Sequence, residues 1–228
     1  MRVVQCATKI ARYIGSLLLK ILDEWTYNYD LGNQIDVVYT DFEKAFDKIP
    51  HKGLICKLQA SGLNKELVLW VQDFLSNRKQ RVGVNGKYSD WFNVESGVPQ
   101  GSILRPLLFL IYINDLPDFC TKTYNECVMY LYADDAKVYK IISNSEDQEM
   151  LQGVINRLKE WCDKWLVSVN ASKCNQVSYT AKHKIDTNYY ISNNNTKHFI
   201  ETVDHIKDLG VTFDSHLSFY DHIQEKNK

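Results

Sequence analysis

Two apolar runs rich in β-branched and aromatic residues, CVMYLYA and AKVYKII, are separated only by Asp134 and Asp135. Such runs are typical of strands, and the gap of two residues predicts a hairpin, because Asp tolerates a tight turn. A third run of this kind, from Ile35 to Tyr39, ends just before Asp41. If these strands are neighbours in one sheet, three carboxylates converge at the end of that sheet.

The predicted cluster of Asp41, Asp134 and Asp135 calls for a cation. Converging carboxylates repel one another, so their pKa values would rise unless a positive charge lies between them. Magnesium suits such a site, because it takes hard oxygen ligands, and two ions about 3.5–4 Å apart stabilise both oxygens of a phosphoryl transfer. A pair of aspartates is also typical of a solvated hairpin tip, so the pair alone does not decide the function.

The first part of the chain predicts a helix, the strand before Asp41 and two further helices. The first helix runs from about Thr8 to Tyr27, and the next begins near His51 and stops at Gly62. Asn64 is placed to cap the one that follows. The predicted apolar face of that helix comprises Leu67, Trp70, Val71 and Phe74.

The middle of the chain predicts a hairpin and a buried helix. Asn85-Gly86, within residues 80–95, is a strong turn pattern for a β-hairpin. Ser102 is placed to cap a helix over residues 103–114, which is apolar nearly all round and is therefore expected to be buried.

The last part of the chain completes the fold class. Ser145 and Gln148 predict a capping box for a long helix. The apolar positions of this helix keep helical phase, which indicates a core role: Leu151, Val154, Leu158, Trp161 and Trp165. Further strands are predicted near residues 174–181, 189–191, 197–203 and 209–213. This order of elements predicts an α+β fold, with an antiparallel or mixed sheet and helices on one face.

The composition leaves the partner open. With 45% apolar residues, the 228-residue chain can bury a sizeable core, and its net charge of −1 gives no overall attraction for nucleic acid. The six cysteines are too scattered for a zinc site, so reduced and mostly buried thiols are expected. The apolar runs fall short of the roughly 20 residues that cross a bilayer.

Several ordered motifs carry a resemblance to a known family. They are VVYTDFEKAFDKIPH at 37–51, SGVPQGSILRPLLFLIYINDLP at 96–117, YADDAKVY at 132–139, and NASKC at 170–174 followed by LGVTFDSHLSF at 209–219. From about Leu17 to about Phe219 the chain resembles the reverse transcriptases of non-long-terminal-repeat (LINE-type) retrotransposons, in particular jockey-like elements. The resemblance implies a polymerase palm, a ferredoxin-like antiparallel sheet with helices on one face, together with part of the fingers.

The resemblance also implies the catalytic residues. Asp41, Asp134 and Asp135 would bind two Mg²⁺ ions, with Mn²⁺ as a substitute. Phe42 would add a backbone carbonyl, and Lys173 would donate a proton to pyrophosphate.

Other residues are implied to contact the substrates. Phe46 corresponds to an aromatic side chain that lies against the sugar and excludes a ribose 2′-hydroxyl, although a core aromatic is an equal alternative. Gln100 and Gly101 match a Pro-Gln-Gly loop, in which glycine lets the backbone approach the base and sugar. Arg81 belongs to a basic run that would either meet template or nucleotide phosphates or form a solvated hairpin face. This run comprises Arg78, Lys79, Arg81 and Lys87.

One residue and the chain length depart from the family pattern. Arg105 stands where relatives carry glycine, and it is expected to reach solvent or a phosphate, or to strain the packing. The expected divisions are an N-terminal helical segment at 1–30, a reverse transcriptase palm with partial fingers at 31–215, and the start of a missing thumb at 216–228. A truncated element is therefore expected.

The expected function is that of an RNA-directed DNA polymerase fragment, which transfers a nucleotide from a dNTP to a primer 3′-hydroxyl. Its partners would be an RNA template and a DNA primer, with no membrane and no clear protein partner, in the nucleus or cytoplasm. The alternative is a catalytically silent, retrotransposon-derived remnant that acts at most as a nucleic-acid-binding or scaffold protein.

Overall fold

The structure is a computed structural model that describes residues 10–193 and 196–227, with side chains from residue 18 onward. In chain order its helices are α1 (Ile10–Asp30), α2 (Ala45–Lys48), α3 (His51–Ala60), α4 (Lys65–Leu75), α5 (Leu104–Ile113), α6 (Leu116–Thr121), α7 (Ser145–Trp165) and α8 (Tyr220–Lys226). Its strands are β1 (Gln34–Thr40), β2 (Lys79–Gln80), β3 (Gly83–Val84), β4 (Lys87–Tyr88), β5 (Phe92–Asn93), β6 (Val128–Tyr132), β7 (Asp135–Ile142), β8 (Asn175–Tyr179), β9 (Tyr190–Asn193), β10 (Thr196–Phe199), β11 (Glu201–Thr202), β12 (His205–Asp208) and β13 (Val211–Asp214). The predicted first helix is α1, and its expected start at Thr8 lies outside the described residues.

A five-stranded sheet, in the order β11-β8-β1-β7-β6, forms the centre of the fold. The central strand β1 pairs antiparallel with β7 and with β8, so that Val38 lies opposite Val138 and Val37 opposite Val177. The pair β6 and β7 is antiparallel and the short pair β11 and β8 is parallel. The predicted α+β class with a mainly antiparallel sheet is confirmed.

The two faces of the sheet contact separate cores. On one face Val38 and Val138 pack against apolar residues of α3 to α7. On the other face Ile35 and Val37 pack with Trp25 of α1. The expected helices on one face are α3 to α7, whereas α1 lies on the opposite face, because successive apolar residues of β1 point to both sides and each side needs cover.

The predicted cap of α4 is confirmed, but its predicted apolar face is shifted. The side chain of Asn64 accepts a hydrogen bond from the backbone N–H of Glu66 at 2.9 Å. The buried residues of α4 are Val68, Val71 and Leu75. Leu67 and Trp70, which were expected on that face, are 47% and 54% exposed, because α4 turns a neighbouring stripe toward α3.

The capping box of α7 also lies one residue from its predicted place. The side chain of Asn144 accepts from the backbone N–H of Asp147 at 3.0 Å, and the Asp147 carboxylate accepts from the N–H of Asn144 at 3.2 Å. The prediction of Ser145 and Gln148 was therefore wrong, since Asn144 supplies the same geometry one position earlier. The expected core role of Trp161 is confirmed by its complete burial.

The Asn-Gly hairpin is confirmed, and the predicted burial of α5 is only half right. Asn85 and Gly86 have φ values of 49° and 75°, which are the left-handed conformations that such a turn requires. Ser102 accepts a hydrogen bond from the N–H of Leu104 at 3.1 Å at the start of α5. Phe109 is buried, but Leu107 is 41% exposed, because α5 contacts the core with one side only.

The cysteines agree with the expected reduced thiols in the part of the chain that is described. Cys56 is free and exposed, and the buried free thiols are Cys120, Cys127, Cys162 and Cys174. Cys6 lies outside the described residues. Among the helices that are described, none is both long and apolar enough to span a bilayer.

Candidate active site

The acidic hairpin forms as predicted, with its turn one residue earlier. Tyr132 of β6 pairs with Asp135 of β7, so the two turn residues are Ala133 and Asp134. Ala133 has a φ of 52° and takes the left-handed position that the turn needs. The prediction that both aspartates form the turn is corrected: Asp135 is the first residue of β7.

Asp41 lies beside this hairpin because of the pairing of β1 with β7. Thr40, the last residue of β1, pairs with Ala136, so the residue after it adjoins Asp135. The backbone carbonyl of Asp41 accepts a hydrogen bond from the N–H of Asn170 at 2.8 Å, which holds the loop that leaves the strand. Asp41 and Asp135 line one pocket of about 200 Å³.

The acids in and around the pocket act on each other electrostatically. The pKa of Asp135 is raised, first by partial burial and then by the charges of Asp134, Asp208 and Asp41, while Lys137 opposes the shift. Asp134 therefore acts on Asp135 although it does not line the pocket. The structure brings Asp41 and Asp135 to one pocket, so the predicted convergence of all three carboxylates stays a prediction.

Lys173 lines the same pocket from a short 3₁₀ turn at Ala171–Lys173. Its Nζ lies 3.8 Å from Oδ2 of Asp41, and both side chains are well exposed. Such an exposed pair contributes little stability. Its significance is its position, because it places a positive charge at the solvent-exposed side of the acidic pocket.

The acidic set fits a divalent cation by its chemistry. Carboxylate oxygens are the ligands that magnesium prefers. Burial, together with the neighbouring acids, raises the pKa of Asp135, and a bound cation would oppose this shift. Within the described residues, no three His, Cys, Asp or Glu side chains are already gathered into a metal site. The acids of the pocket thus influence one another by their charges, but the described side chains do not surround a common metal position.

The two predicted phenylalanines occupy different environments. Phe42 is 3% exposed and belongs to the core, and its backbone pairs with Val169. Phe46, in α2, is partly buried and stacks on Phe109 with ring centroids 4.2 Å apart. Neither side chain lines the pocket described above.

Gln100 and Gly101 lie on an exposed loop before α5. Gly101 has a φ of 80°, a conformation that favours glycine, and nothing of the described chain lies within 4 Å of where a Cβ would be. Gly97 is the glycine of this loop that is tightly packed, since a Cβ there would lie 2.5 Å from the carbonyl oxygen of Asp47. The loop is not brought into contact with the acidic pocket.

Arg81 lies on the exposed Asn-Gly hairpin. Its guanidinium lies 4.0 Å from the ring centroid of Tyr88 and 4.6 Å from that of Trp91. It does not line the acidic pocket. The basic run is therefore combined with exposed aromatic rings, which the sequence pattern did not indicate.

Sequence reasoning missed the ion pair that forms one side of the pocket. Lys137 of β7 binds Asp208 at the end of β12, and both side chains are 7% exposed. The two residues are 71 positions apart, so no spacing pattern connects them. A lysine inside the apolar run AKVYKII was the available indication, because a buried charge requires a partner.

Arg105 was expected to reach solvent or a phosphate, or to strain the packing. Its side chain is 18% exposed, its Nη2 lies 2.7 Å from Oδ1 of Asp47, and its Nη1 donates to the carbonyl of Val98 at 2.7 Å. The predicted route to solvent is thus partly realised, and contact with a phosphate stays a prediction.

This sheet, with acids at the end of its central strand and on the adjacent hairpin, defines a polymerase palm with part of the fingers. Solved structures agree: apo telomerase from Candida tropicalis matches with a TM-score of 0.61 at 13% identity, over 95% of this chain and 36% of that one. Telomerase from the same organism in complex with a TWJ fragment of telomeric RNA matches with a TM-score of 0.60, also at 13% identity, over 95% of this chain and 33% of that one. At this identity the likeness concerns the fold.

The family described as reverse transcriptase (RNA-dependent DNA polymerase) matches residues 2–213. The chain therefore belongs to the reverse transcriptase family, whose members generally use divalent metal ions.

Curated relatives confirm the resemblance to non-long-terminal-repeat elements. The RNA-directed DNA polymerase from mobile element jockey of Drosophila funebris is 34% identical over 189 residues, which are 81% of this chain and 20% of that protein. The probable RNA-directed DNA polymerase from transposon X-element of Drosophila melanogaster is 28% identical over 209 residues, which are 91% of this chain and 22% of that protein. The chain thus spans about a fifth of the length of these relatives.

Proposed function

We propose that this chain carries the nucleotidyl-transfer site of an RNA-directed DNA polymerase. In the proposed reaction a primer 3′-hydroxyl attacks the α-phosphate of a deoxynucleoside triphosphate opposite an RNA template, and pyrophosphate leaves. The observation that carries the proposal is the shared pocket of Asp41, Asp135 and Lys173, in which burial and then the nearby acids raise the pKa of Asp135.

Asp41, Asp134 and Asp135 are the residues that would hold two Mg²⁺ ions, or Mn²⁺ in their place, with a backbone carbonyl added by Phe42. Bound there, the ions supply charge neutralisation for the phosphates and for both reacting oxygens. Lys173 lies at the open side of the pocket, where it can approach a triphosphate and protonate the leaving pyrophosphate.

The remaining predicted residues are proposed to select and orient the nucleotide. Phe46 would lie against the sugar, where a ribose 2′-hydroxyl would clash, and its packing on Phe109 gives it a fixed support. Gln100 and Gly101 would approach the base and sugar from their exposed loop. Arg81 would face phosphates of the template or the triphosphate.

In this proposal residues 31–215 form the palm with part of the fingers. They follow the predicted N-terminal segment at 1–30, of which residues 1–9 lie outside the described residues. Residues 216–228 would lead into a thumb. The RNA template, the DNA primer and the intracellular location, in the nucleus or cytoplasm, stay predictions.

The test is primer extension on an RNA template with Mg²⁺ and dNTPs. The parent chain is expected to extend the primer, whereas Asp134→Asn is expected to reduce the rate by two or more orders of magnitude. Asp118→Asn, which changes an exposed acid on α6, is the matched control and should keep the parent rate. Absence of extension by the parent, or equal extension by Asp134→Asn, would refute the proposal.

The second candidate is a catalytically silent remnant that binds nucleic acid or acts as a scaffold. It is favoured by the exposed basic hairpin, where the guanidinium of Arg81 lies 4.0 Å from the centroid of the Tyr88 ring, because RNA binding there needs no metal. Thermal unfolding with and without Mn²⁺ or Mg²⁺ separates the two. A rise in the melting temperature that is lost in Asp41→Asn supports an assembled site, and RNA binding without any such rise supports the remnant.

A further inference from the structure

Arg105, near the start of α5, connects two segments that the proposed function assigns to nucleotide selection. Its Nη2 donates to Oδ1 of Asp47 at 2.7 Å, and Asp47 directly follows Phe46 in α2. Its Nη1 donates to the carbonyl of Val98 at 2.7 Å, two residues before Gln100. One side chain thus reaches both the aromatic segment and the Pro-Gln-Gly loop.

The same guanidinium contacts the Phe46 ring itself. Its central carbon lies 5.1 Å from the centroid of that ring, which also stacks on Phe109 at 4.2 Å. Contacts of both kinds favour particular ring orientations. Phe46 is therefore held by a cation as well as by an aromatic neighbour.

Backbone contacts already bring the two segments together. The N–H of Val98 donates to the carbonyl of Phe46 at 3.1 Å, and the N–H of Gly97 donates to the carbonyl of Ile49 at 2.8 Å. Because Gly97 lies directly against Asp47, the backbones are as close as the absence of a Cβ permits. The loop and the residues around Phe46 are thus joined by direct backbone contacts.

We propose that Arg105 is a positioning residue that holds Phe46 and the Pro-Gln-Gly loop in one arrangement, and that it thereby sets how strictly the site rejects ribonucleotides. Arg105, Asp47 and the carbonyl of Val98 form the Arg105 clamp. The inference rests on the proposed function, in which Phe46 lies against the sugar.

An arginine is suited to this role by its shape. Its planar fork presents two donors in fixed directions and a flat face to the ring, whereas a lysine ammonium is a single point charge. Arg105→Lys should therefore keep the pairing with Asp47 but lose part of the hold on the loop. The side chain of Asp47 is 61% exposed, so solvent weakens the ion pair, and the clamp depends on the combined contacts.

The first experiment measures the ratio of kcat/KM for a dNTP to kcat/KM for the matching ribonucleotide. Arg105→Ala is expected to lower this ratio roughly three- to tenfold, the range that one typical hydrogen bond supplies. Asp47→Asn should act in the same direction, and Arg105→Lys should lie between Arg105→Ala and the parent. An unchanged ratio in Arg105→Ala overturns the proposed role.

Arg157 of α7 offers a matched control. Its Nε donates to the carbonyl of Phe119 at 2.9 Å, its guanidinium lies 4.4 Å from the Phe119 ring, and it pairs with Glu160 at 3.8 Å. Arg157→Ala removes the same kinds of contact from a different part of the fold and should leave the ratio unchanged. An equal loss in both variants would indicate general loosening and would overturn the assignment to Arg105.

The second experiment, amide hydrogen exchange, needs no activity. The amides of Gly97 and Val98 should exchange faster in Arg105→Ala than in the parent and in Arg157→Ala. In that variant the loop keeps its backbone bonds, the contact of His51 with the Gly97 carbonyl and the bond of the Ser96 hydroxyl to the Asp47 carbonyl, but it loses the bonds of Arg105. Unchanged exchange refutes the clamp. If the parent chain extends no primer, the proposed function is refuted instead. The exchange rates then still test whether the Arg105 clamp holds the loop.

Discussion

Asp135 lies partly buried among the acids of the pocket. Partial burial raises its pKa first, and Asp134, Asp208 and Asp41 raise it further against the opposing charge of Lys137. Because the folded protein holds this proton more tightly than the unfolded chain does, the metal-free fold is penalised once the proton is lost. The same penalty is what a bound cation would relieve.

The charge of Asp135 predicts how the stability of the metal-free protein depends on pH. As pH rises from the ordinary Asp pKa of 3.8 through the raised pKa of Asp135, its contribution to the free energy of unfolding should fall. In Asp135→Asn this fall is absent, so the variant should gain stability relative to the parent between about pH 4 and pH 7. Urea unfolding at both pH values measures the difference. A constant difference across that window contradicts the assignment.

At the level of elements, the ion pair of Lys137 and Asp208 attaches the β12–β13 hairpin to the central sheet. Both charges are nearly fully buried, so removal of one leaves the other without compensation. Asp208→Ala should lower the free energy of unfolding by about 3 kcal/mol, which chemical denaturation can measure.

The double variant Lys137→Met with Asp208→Leu tests whether the loss of stability in Asp208→Ala comes from an isolated buried charge. It removes both charges and keeps apolar volume, so its stability should return to within about 1 kcal/mol of the parent. If the double variant is as unstable as Asp208→Ala, the loss comes from packing and not from an isolated buried charge.

Asp214 organises the chain between β13 and α8. Its carboxylate accepts hydrogen bonds from the N–H groups of His216, Ser218 and Phe219 at 3.0, 3.1 and 2.8 Å, and from the Ser218 hydroxyl at 2.9 Å. Burial raises the pKa of Asp214, but these hydrogen bonds outweigh burial and lower it overall.

Asp214→Asn should therefore lower the free energy of unfolding by about 1–3 kcal/mol at pH 7. Because the pKa of Asp214 is lowered in the folded state, its contribution is present above the ordinary Asp pKa and is lost as pH falls through the lowered value. The difference between variant and parent should shrink in urea unfolding at about pH 3. A difference that grows at low pH would contradict this account.

The elements also show what the sequence could predict. The cap at Asn64 and the turn at Asn85-Gly86 act within a few residues, so local patterns capture them. The buried stripe of α4 depends on how that helix lies on α3, which its own periodicity does not determine.

Within the site, motifs identified Asp41, Asp134, Asp135 and Lys173, and the structure brings Asp41, Asp135 and Lys173 to one pocket. The pair of Lys137 and Asp208 arises only when strands 71 positions apart meet, and no spacing rule predicts it.

For the whole molecule, the net charge of −1 means that attraction for nucleic acid must be local. The exposed hairpin supplies such a region, with Lys79 and Lys87 next to Arg81 and its aromatic neighbours. If these lysines contact template phosphates, their replacement should change the salt dependence of RNA binding.

The prediction is that Lys79→Ala with Lys87→Ala reduces the slope of log K against log salt for a single-stranded RNA by about 1.4. Fluorescence anisotropy between about 50 and 200 mM salt measures this slope. Lys182→Ala with Lys184→Ala changes the net charge equally near the start of β1, where Lys182 lies 3.4 Å from the carbonyl of Leu31, and should leave the slope unchanged. If the two double variants have the same slope, the RNA does not contact Lys79 and Lys87.

The central position of β1 affects the order in which the protein assembles during synthesis. Thr40 bonds to Ala136, 96 residues later in the chain, and Tyr39 bonds to Tyr179, 140 residues later. A ribosome that adds about 5–20 residues per second needs about 5–20 s to deliver the first of these partners. The strand that leads to Asp41 is thus made well before both of its partner strands, and until they arrive its apolar edges need protection from other nascent chains.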